Sequence, residues 1–492
     1  MKTIPINSQG RTGTPGEELR ALYRELKLGI EYCPIASLKA YATNPRTHSR
    51  EQLKVLTQSI RAFGFVAPIV VDESDTVVGG HGVLLAAKEL GYTTIPVVRL
   101  THLGEADKKA LRIGLNRAAE LAGWDLKLLA LEFKSLVEIS TTLSLAFDLS
   151  LTGFSLPEID RTINDGDAKD EDEAVEEPNR REPPVSHLGD LWLLGEHRLI
   201  NGDACDSAAY AALLGEEHAA VGLHDAPYNV SVTRHVSKSG RHQEFIFASG
   251  ELNEEKFAVF LSKFLRQARA HSRPGAVQFS FIDWRHIGEM LKAGQSAGLE
   301  VTNVCIWDKG VGALGSLYRS QYEMVFVFSD PGGPVLNNVQ LGRFGRNRTN
   351  VWNWPGARSL RKELELHPTP KPVGLLAEAI LDVSNRGDIV LDSFSGSGST
   401  IIAAAKTGRR GRAIELDSHY VDVGVLRWQA WSGEVARHVQ TGLTFEQLKE
   451  RRRAEKEIRT AESAEGDHPA AAILPARIRH RARPIEVRGA EI

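Results

Sequence analysis

An α/β chain is what this sequence predicts: a small mixed α+β domain, then a larger one on a mainly parallel, doubly wound sheet. From residue 187 to about 435, short apolar strands alternate with helical stretches, the pattern of a sheet covered on both faces. Two of those strands end in unusual turns. The apolar run 219–223 leads into Asp225-Ala226-Pro227-Tyr228-Asn229, and the run 388–391 leads into Asp392-Ser393-Phe394-Ser395-Gly396-Ser397-Gly398. The second is a strand, a glycine turn and a helix start, the arrangement by which an α/β fold offers backbone N–H groups to a nucleotide-like ligand.

Taken in order, residues 1–30 read as a flexible arm. The first domain, 31–155, opens with a helix in which Leu53, Leu56, Ile60 and Phe63 recur at helical spacing and Gly64 is the stop. Runs at 68–71, 76–78 and 95–98 read as strands. Gly79-Gly80-His81-Gly82 opens a helix reaching Leu90, and 105–119 and 125–150 read as trailing helices. Residues 156–186 hold an acid run, Pro178, Pro183 and Pro184, which predicts a disordered linker. The second domain is expected over 187–435, and 436–492 as a charged tail, a short helix and then a disordered basic end. There is no internal repeat.

At 492 residues the chain has room for two or three domains, and its 42% hydrophobic and 25% charged content is ordinary for globular proteins. Cys33, Cys205 and Cys305 share no metal-ligand spacing, so a reducing compartment is expected, with no disulfide framework and no metal. The first residues lack the apolar core of a signal peptide and no apolar run is long enough to span a bilayer, so the expected location is the cytoplasm. A formal net charge of −3 conceals an asymmetry. Residues 165–177 hold eight acids and one lysine, a local −7, and the rest of the chain stands at +4.

The two turns suggest one chemistry. The exocyclic amine of a nucleobase is a weak nucleophile, because its lone pair is delocalised into the ring. Methylating it calls for acceptors on its N–H groups, a flat surface for a base turned out of the duplex, and an in-line methyl donor. Asp225 offers one acceptor, the carbonyl near Ala226 a second and Tyr228 the flat surface, while Pro227 stiffens the turn. Alone, Asp-x-Pro-Tyr also reads as a simple strand-terminating turn. In the glycine segment no lysine follows Gly398, against a phosphate-binding loop, and Ile401 stands where a nicotinamide fingerprint wants glycine. Glu415 ends the next strand, placed to accept from ribose hydroxyls.

These segments resemble the β-class of S-adenosylmethionine-dependent DNA amino-methyltransferases. In that class a catalytic Asp-Pro-Pro-Tyr turn precedes a His-Pro-Thr-x-Lys-Pro loop, here His367-Pro368-Thr369-Pro370-Lys371-Pro372, and a glycine-rich cofactor motif. The resemblance implies a Rossmann-like methyltransferase over roughly 187–435. It implies a catalytic set of Asp225, Ala226, Pro227 and Tyr228, and S-adenosyl-L-methionine held by Asp392, Phe394, Gly396, Gly398, Glu415, Thr369 and Lys371. An Asp at the first catalytic position favours adenine N6 over cytosine N4. Ala226 and Ser393 replace prolines of the family pattern without removing a ligand group. Residues 31–125 resemble the ParB/sulfiredoxin-like domain, on Asn44-Pro45-Arg46, Phe63-Gly64-Phe65 and Gly79-Gly80-His81-Gly82. Val83 stands where that family has a phosphate-holding arginine. The glycine-rich helix start keeps an anion or nucleotide in view, and His81 reads as structural.

Double-stranded DNA is the expected partner, met by loops at about 229–245 and 308–354 through Arg234, Lys238, Arg241, Arg319, Arg343, Arg346 and Arg348, with Phe344, Trp352 and Trp354 interleaved. A homodimer is left open. Competing readings are an N4-cytosine enzyme, and a partition-type DNA-binding module whose methyltransferase half does not turn over.

Overall fold

The computed structural model describes residues 28–142, 149–167, 180, 182–229, 251–310, 312, 317–342, 346–354 and 371–465. The N-terminal domain carries β1 (Ile30–Pro34), α1 (Arg50–Phe63), β2 (Ile69–Asp72), β3 (Val77–Gly79), α2 (His81–Glu89) and β4 (Thr94–Leu100). Its four strands lie in the order β1-β4-β2-β3, with β2 and β4 parallel. Ser49 caps α1 by accepting from the Gln52 N–H, and Gly64 ends that helix at a φ of 74°. Ile69, Val71, Val77, Leu84, Ile95 and Val97 form the core. Val83 packs against that core, which accounts for an apolar side chain at that position. His81 Nε2 accepts from the Tyr41 N–H at 3.4 Å.

Three further helices follow, α3 (Glu105–Leu121), α4 (Leu126–Thr142) and α5 (Leu156–Asp167). The last corrects the expected linker, whose first twelve residues are helical. Ser155 and Glu158 form a reciprocal cap: the Ser155 N–H donates to Glu158 Oε2 at 2.7 Å and the Glu158 N–H to Ser155 Oγ at 3.4 Å. Ile159 and Ile163, one turn apart, then bury against Phe133 of α4. Residues 168–179 lie outside the described residues, as do 1–27 of the expected arm and 466–492 of the tail.

The large domain runs through β5 (Leu191–Leu194), β6 (His197–Asn201), α6 (Ser207–Leu214), β7 (Ala219–His224), α7 (Glu254–Ala270), β8 (Ser272–Ile282), α8 (Ile287–Ser296), β9 (Glu300–Asp308), β10 (Tyr322–Ser329) and β11 (Val351–Asn353). It continues through α9 (Val373–Val383), β12 (Ile389–Asp392), α10 (Ser399–Lys406), β13 (Arg410–Glu415), α11 (Ser418–Ser432), β14 (Arg437–His438) and α12 (Phe445–Glu465). Among the described residues ten strands form one sheet, β11-β9-β10-β8-β7-β12-β13-β6-β5-β14. The centre, β8-β7-β12-β13-β6, is parallel throughout, and antiparallel strands extend both sides. β7 is buried at every position and needs a glycine at its middle. A Cβ on Gly222 would lie 1.9 Å from Gln278 Oε1, which is hydrogen-bonded to His224 Nε2.

Two boundaries shift. The stretch 308–354, expected as a DNA loop, contains β10 and β11, and Trp352 is a core residue. The expected tail begins as sheet and core: β14 pairs with β5, and Phe445 and Leu448 of α12 are buried. No described helix is long and apolar enough to cross a membrane.

Candidate active site

β7 and β12 are neighbours at the centre of the sheet, pairing Val221 with Val390 and Gly222 with Leu391. From this pair β8 lies to one side of β7, and β13 and β6 to the far side of β12. Their carboxyl ends therefore open together where the winding changes direction, the place where open α/β sheets bind ligands. Each end carries one of the two turns, and both turns face one cavity of about 520 Å³. Asp225, Tyr228, Lys371, Phe394, Gly396 and Glu415 are on its wall, with Ala226, Pro227 and Asp392.

On the β12 side, Gly396 and Gly398 sit in the left-handed region at φ 50° and 83°. The Gly396 N–H donates to Glu415 Oε2 at 2.7 Å, and the Asp417 N–H to Oε1 at 2.9 Å. Gly398 does not line the cavity. It is the N-cap of α10, and a Cβ there would come 3.3 Å from the Gly424 Cα of α11. Asp392 Oδ1 accepts the Phe394 N–H at 2.9 Å, and the Phe394 ring meets Phe264 edge-on at 4.9 Å. Ser393, in the place of a proline, uses its hydroxyl against Tyr210 Oη at 2.9 Å. Burial pushes both Asp392 and Glu415 up to about 7. Two buried carboxylates disfavour a phosphate and suit a ligand that brings hydroxyl donors and a positive charge. Gly396 leaves open space where a Cβ would be, and Ser395 Oγ is buried with no hydrogen-bond partner among the described residues. Those features fit S-adenosylmethionine.

On the β7 side the carboxylate of Asp225 is shared. Its Oδ1 lies 2.8 Å from the Tyr228 hydroxyl, and Lys371 Nζ donates to Oδ2 at 2.6 Å. Tyr228 Oη is also 3.0 Å from Glu323 Oε2, so its one proton serves either carboxylate in turn. Lys371 Nζ is 3.2 Å from Glu323 Oε2, and Lys309 pairs with the other Glu323 oxygen. Burial would push Glu323 up, but Lys371 and Lys309 outweigh it and hold the carboxyl well below the usual range. Burial likewise lowers Lys371, and Asp225 with Glu323 reverse that, so it stays a cation. Burial and the same two charges push the Tyr228 phenol far up, keeping it neutral. Glu323 and Lys309 were not among the expected site residues. The visible signal was an acid inside the apolar strand 322–329.

The expected DNA arginines divide. Arg319 is exposed, beside Leu317 and Tyr318, which are 84% and 85% exposed. Arg346 is buried, its guanidinium 2.8 Å from Glu378 Oε2 and 2.7 Å from Asp382 Oδ1, and Arg348 pairs with Glu378 at 2.9 Å. Both are spent inside the protein, which corrects their expected role. Trp352 shares that interior, with the Arg348 guanidinium 5.2 Å from its ring centroid. Arg234, Lys238, Arg241, Arg343 and Thr369 lie outside the described residues. Asn229, at φ 54°, bonds Leu252 twice through its side chain, bringing together the residues that flank 230–250.

Comparison with known proteins agrees with this geometry. Residues 221–425 match the model described as DNA methylase, the N6/N4 type. The type II methyltransferase M2.DpnII of Streptococcus pneumoniae is 35% identical over 185 residues, 36% of this chain and 69% of that protein. The chain belongs to the N6/N4 DNA methylase family. A second relative, the DNA adenine methyltransferase YhdJ of Escherichia coli, is 49% identical over 78 residues, 16% of this chain, and the match spans 26% of YhdJ. Ahead of the methylase region, residues 24–116 match the ParB N-terminal domain. There the ParB-like nuclease domain-containing protein YnaK of E. coli is 41% identical over 83 residues, 17% of this chain and 95% of YnaK. Residues 127–188 match a helix-turn-helix domain found with ParB and methyltransferase modules, where the sequence had suggested trailing helices and a linker.

Proposed function

We propose that this chain transfers a methyl group from S-adenosylmethionine to the exocyclic N6 amine of an adenine turned out of double-stranded DNA. The observation that carries the reading is the single cavity shared by the Asp225–Tyr228 turn and the glycine turn after β12. Tyr228 gives the extruded base a stacking face, Asp225 accepts one amine N–H, and the Ala226 carbonyl accepts the other. As the nitrogen gains the methyl it sheds a proton, and the Asp225 carboxylate is the base placed to take it. When bound, the cofactor supplies an electrophilic methyl on a sulfonium. Glu415 orients the ribose hydroxyls, and the Phe394 ring closes the pocket against α7. Adenine is favoured over cytosine by the Asp at the first catalytic position and by the likeness to an adenine methyltransferase.

DNA is held by Arg319, with Leu317 and Tyr318 beside it, by Arg234, Lys238, Arg241 and Arg343, and by the helix-turn-helix region. Incubating the protein with unmodified DNA and labelled cofactor, then digesting to nucleosides, tests the reading. N6-methyladenine is expected. N4-methylcytosine would remove the adenine assignment, and unlabelled DNA from a protein that binds the cofactor would remove the enzyme.

Cofactor affinity is expected to rise with pH. Burial pushes Glu415 up to about 7, and ribose hydroxyls donate better to its ionised form. Binding therefore lowers that pKa, and affinity climbs from about pH 6 to about pH 8. Calorimetry across that window checks it, and Glu415→Gln should flatten the profile. An unchanged profile in the variant would transfer the effect to Asp392, which burial pushes up to about 7 as well.

A further inference from the structure

The target amine's place at the catalytic turn is already taken by a nitrogen of the protein itself. Lys371 Nζ lies 2.6 Å from Asp225 Oδ2 and 3.3 Å from the Tyr228 hydroxyl. It also stands 5.5 Å from the Tyr228 ring centroid, with Phe281 and Trp307 at 5.1 and 5.6 Å. These are the carboxylate and the ring that an extruded base would need. A buried ammonium cannot simply be stripped of its partner, because desolvation without a counter-charge is expensive. A second carboxylate is within reach. Glu323 Oε2 is 3.2 Å from the same Nζ, and Lys309 and the Tyr228 hydroxyl hold Glu323 in place.

We propose that Glu323 is a positioning residue that takes the Lys371 ammonium when the target amine takes Asp225. The cluster of Asp225, Glu323, Lys309 and Lys371 is charge-balanced before the base arrives. It stays so after the exchange, since the incoming amine is neutral. No bond is made or broken in this step. The lysine changes carboxylates, and Tyr228 turns its hydroxyl proton toward whichever acceptor is vacated. A site built this way admits a base only if it offers a donor to Asp225, so the lysine also discriminates against bases without an amine.

This inference rests on the methyl-transfer reading, and the wild-type assay separates the two. A wild-type chain that labels no DNA sinks that reading, whatever the variants do. Given wild-type transfer, Glu323→Gln should cut kcat by roughly tenfold or more, with cofactor affinity unchanged by calorimetry. Adding Lys371→Met to that variant should restore part of the lost rate, since no ammonium then needs a second carboxylate. A purely structural ion pair predicts the opposite, a double variant no faster than the single one. That result, or a Glu323→Gln rate equal to wild type, overturns the proposal. Should Glu323→Gln fail to bind cofactor, Lys371→Met alone decides. With 2-aminopurine placed next to the target adenine, its complex should fluoresce at least as brightly as wild type, because the competing nitrogen is gone. A dimmer complex overturns the proposal.

Discussion

Asp225→Ala is expected to reduce methyl transfer by about a thousandfold while leaving cofactor binding intact. On the proposed mechanism the change removes the acceptor for the amine and the base for its proton, two contributions that act only on the reacting nitrogen. It should not unfold the site. Lys371 loses one carboxylate and keeps another, since Glu323 Oε2 is 3.2 Å from its Nζ, so no buried cation is left without a partner. On the cofactor side Glu415 keeps its bonds, because it is held by the Gly396 and Asp417 N–H groups and not by Asp225. Asp225→Asn is the instructive companion. Its amide retains an acceptor oxygen, but its NH₂ group would turn a donor toward either Lys371 or the target amine. Labelled-cofactor assays on DNA, with cofactor affinity measured alongside, check both variants. Turnover of Asp225→Ala within about tenfold of wild type would remove Asp225 from the chemistry.

What the sequence made legible was local. Each of the two turns is a strand end followed at once by its chemistry, so the Asp225–Tyr228 and Asp392–Gly398 segments could be read without the fold. The alternation of strands and helices likewise exposes a parallel core, because side-chain periods of 2 and 3.6 are properties of short windows. What could not be read was pairing across distance. Lys371 meets Asp225 over a separation of 146 residues, and sequence order cannot bring them together. Arg346 and Arg348 stand in a basic, aromatic-rich stretch that looks like a nucleic-acid face. Only the fold brings Glu378 and Asp382 of α9 beneath them. The α5 helix differs, since its signal was present. Ser155-Leu156-Pro157-Glu158 is a capping box with proline in the first turn, and Ile159 and Ile163 follow at helical spacing. The acid run that begins at Asp165 masks it, because the composition of 156–186 as a whole averages the helix with the acidic stretch.

That helix also supports the second large effect. Asp160→Ala should lower stability by about 3 kcal/mol. Asp160 is 5% exposed and lies between two arginines of the methylase domain, 2.7 Å from Arg409 Nη1 and 2.8 Å from Arg386 Nη2. Arg409 is itself buried, and its remaining bonds go to neutral oxygens of Ser384 and Thr407. Removing the carboxylate leaves a guanidinium in the interior with no carboxylate in contact among the described residues, the costly way to break a buried pair. Replacing both members with apolar residues should cost less, because the cation leaves with its partner. The functional consequence follows from the same geometry. Asn164 of α5 reaches Glu378 at 3.4 Å, Glu378 stands on α9, and Lys371 lies just before the start of α9. Loosening α5 therefore loosens the helix beside Lys371 as well as the helix-turn-helix region. Urea denaturation of Asp160→Ala and of Asp160→Ala/Arg409→Met measures the first effect, and methyl transfer by the single variant measures the second. A midpoint unchanged from wild type would mean that α5 does not depend on this ion pair for its docking.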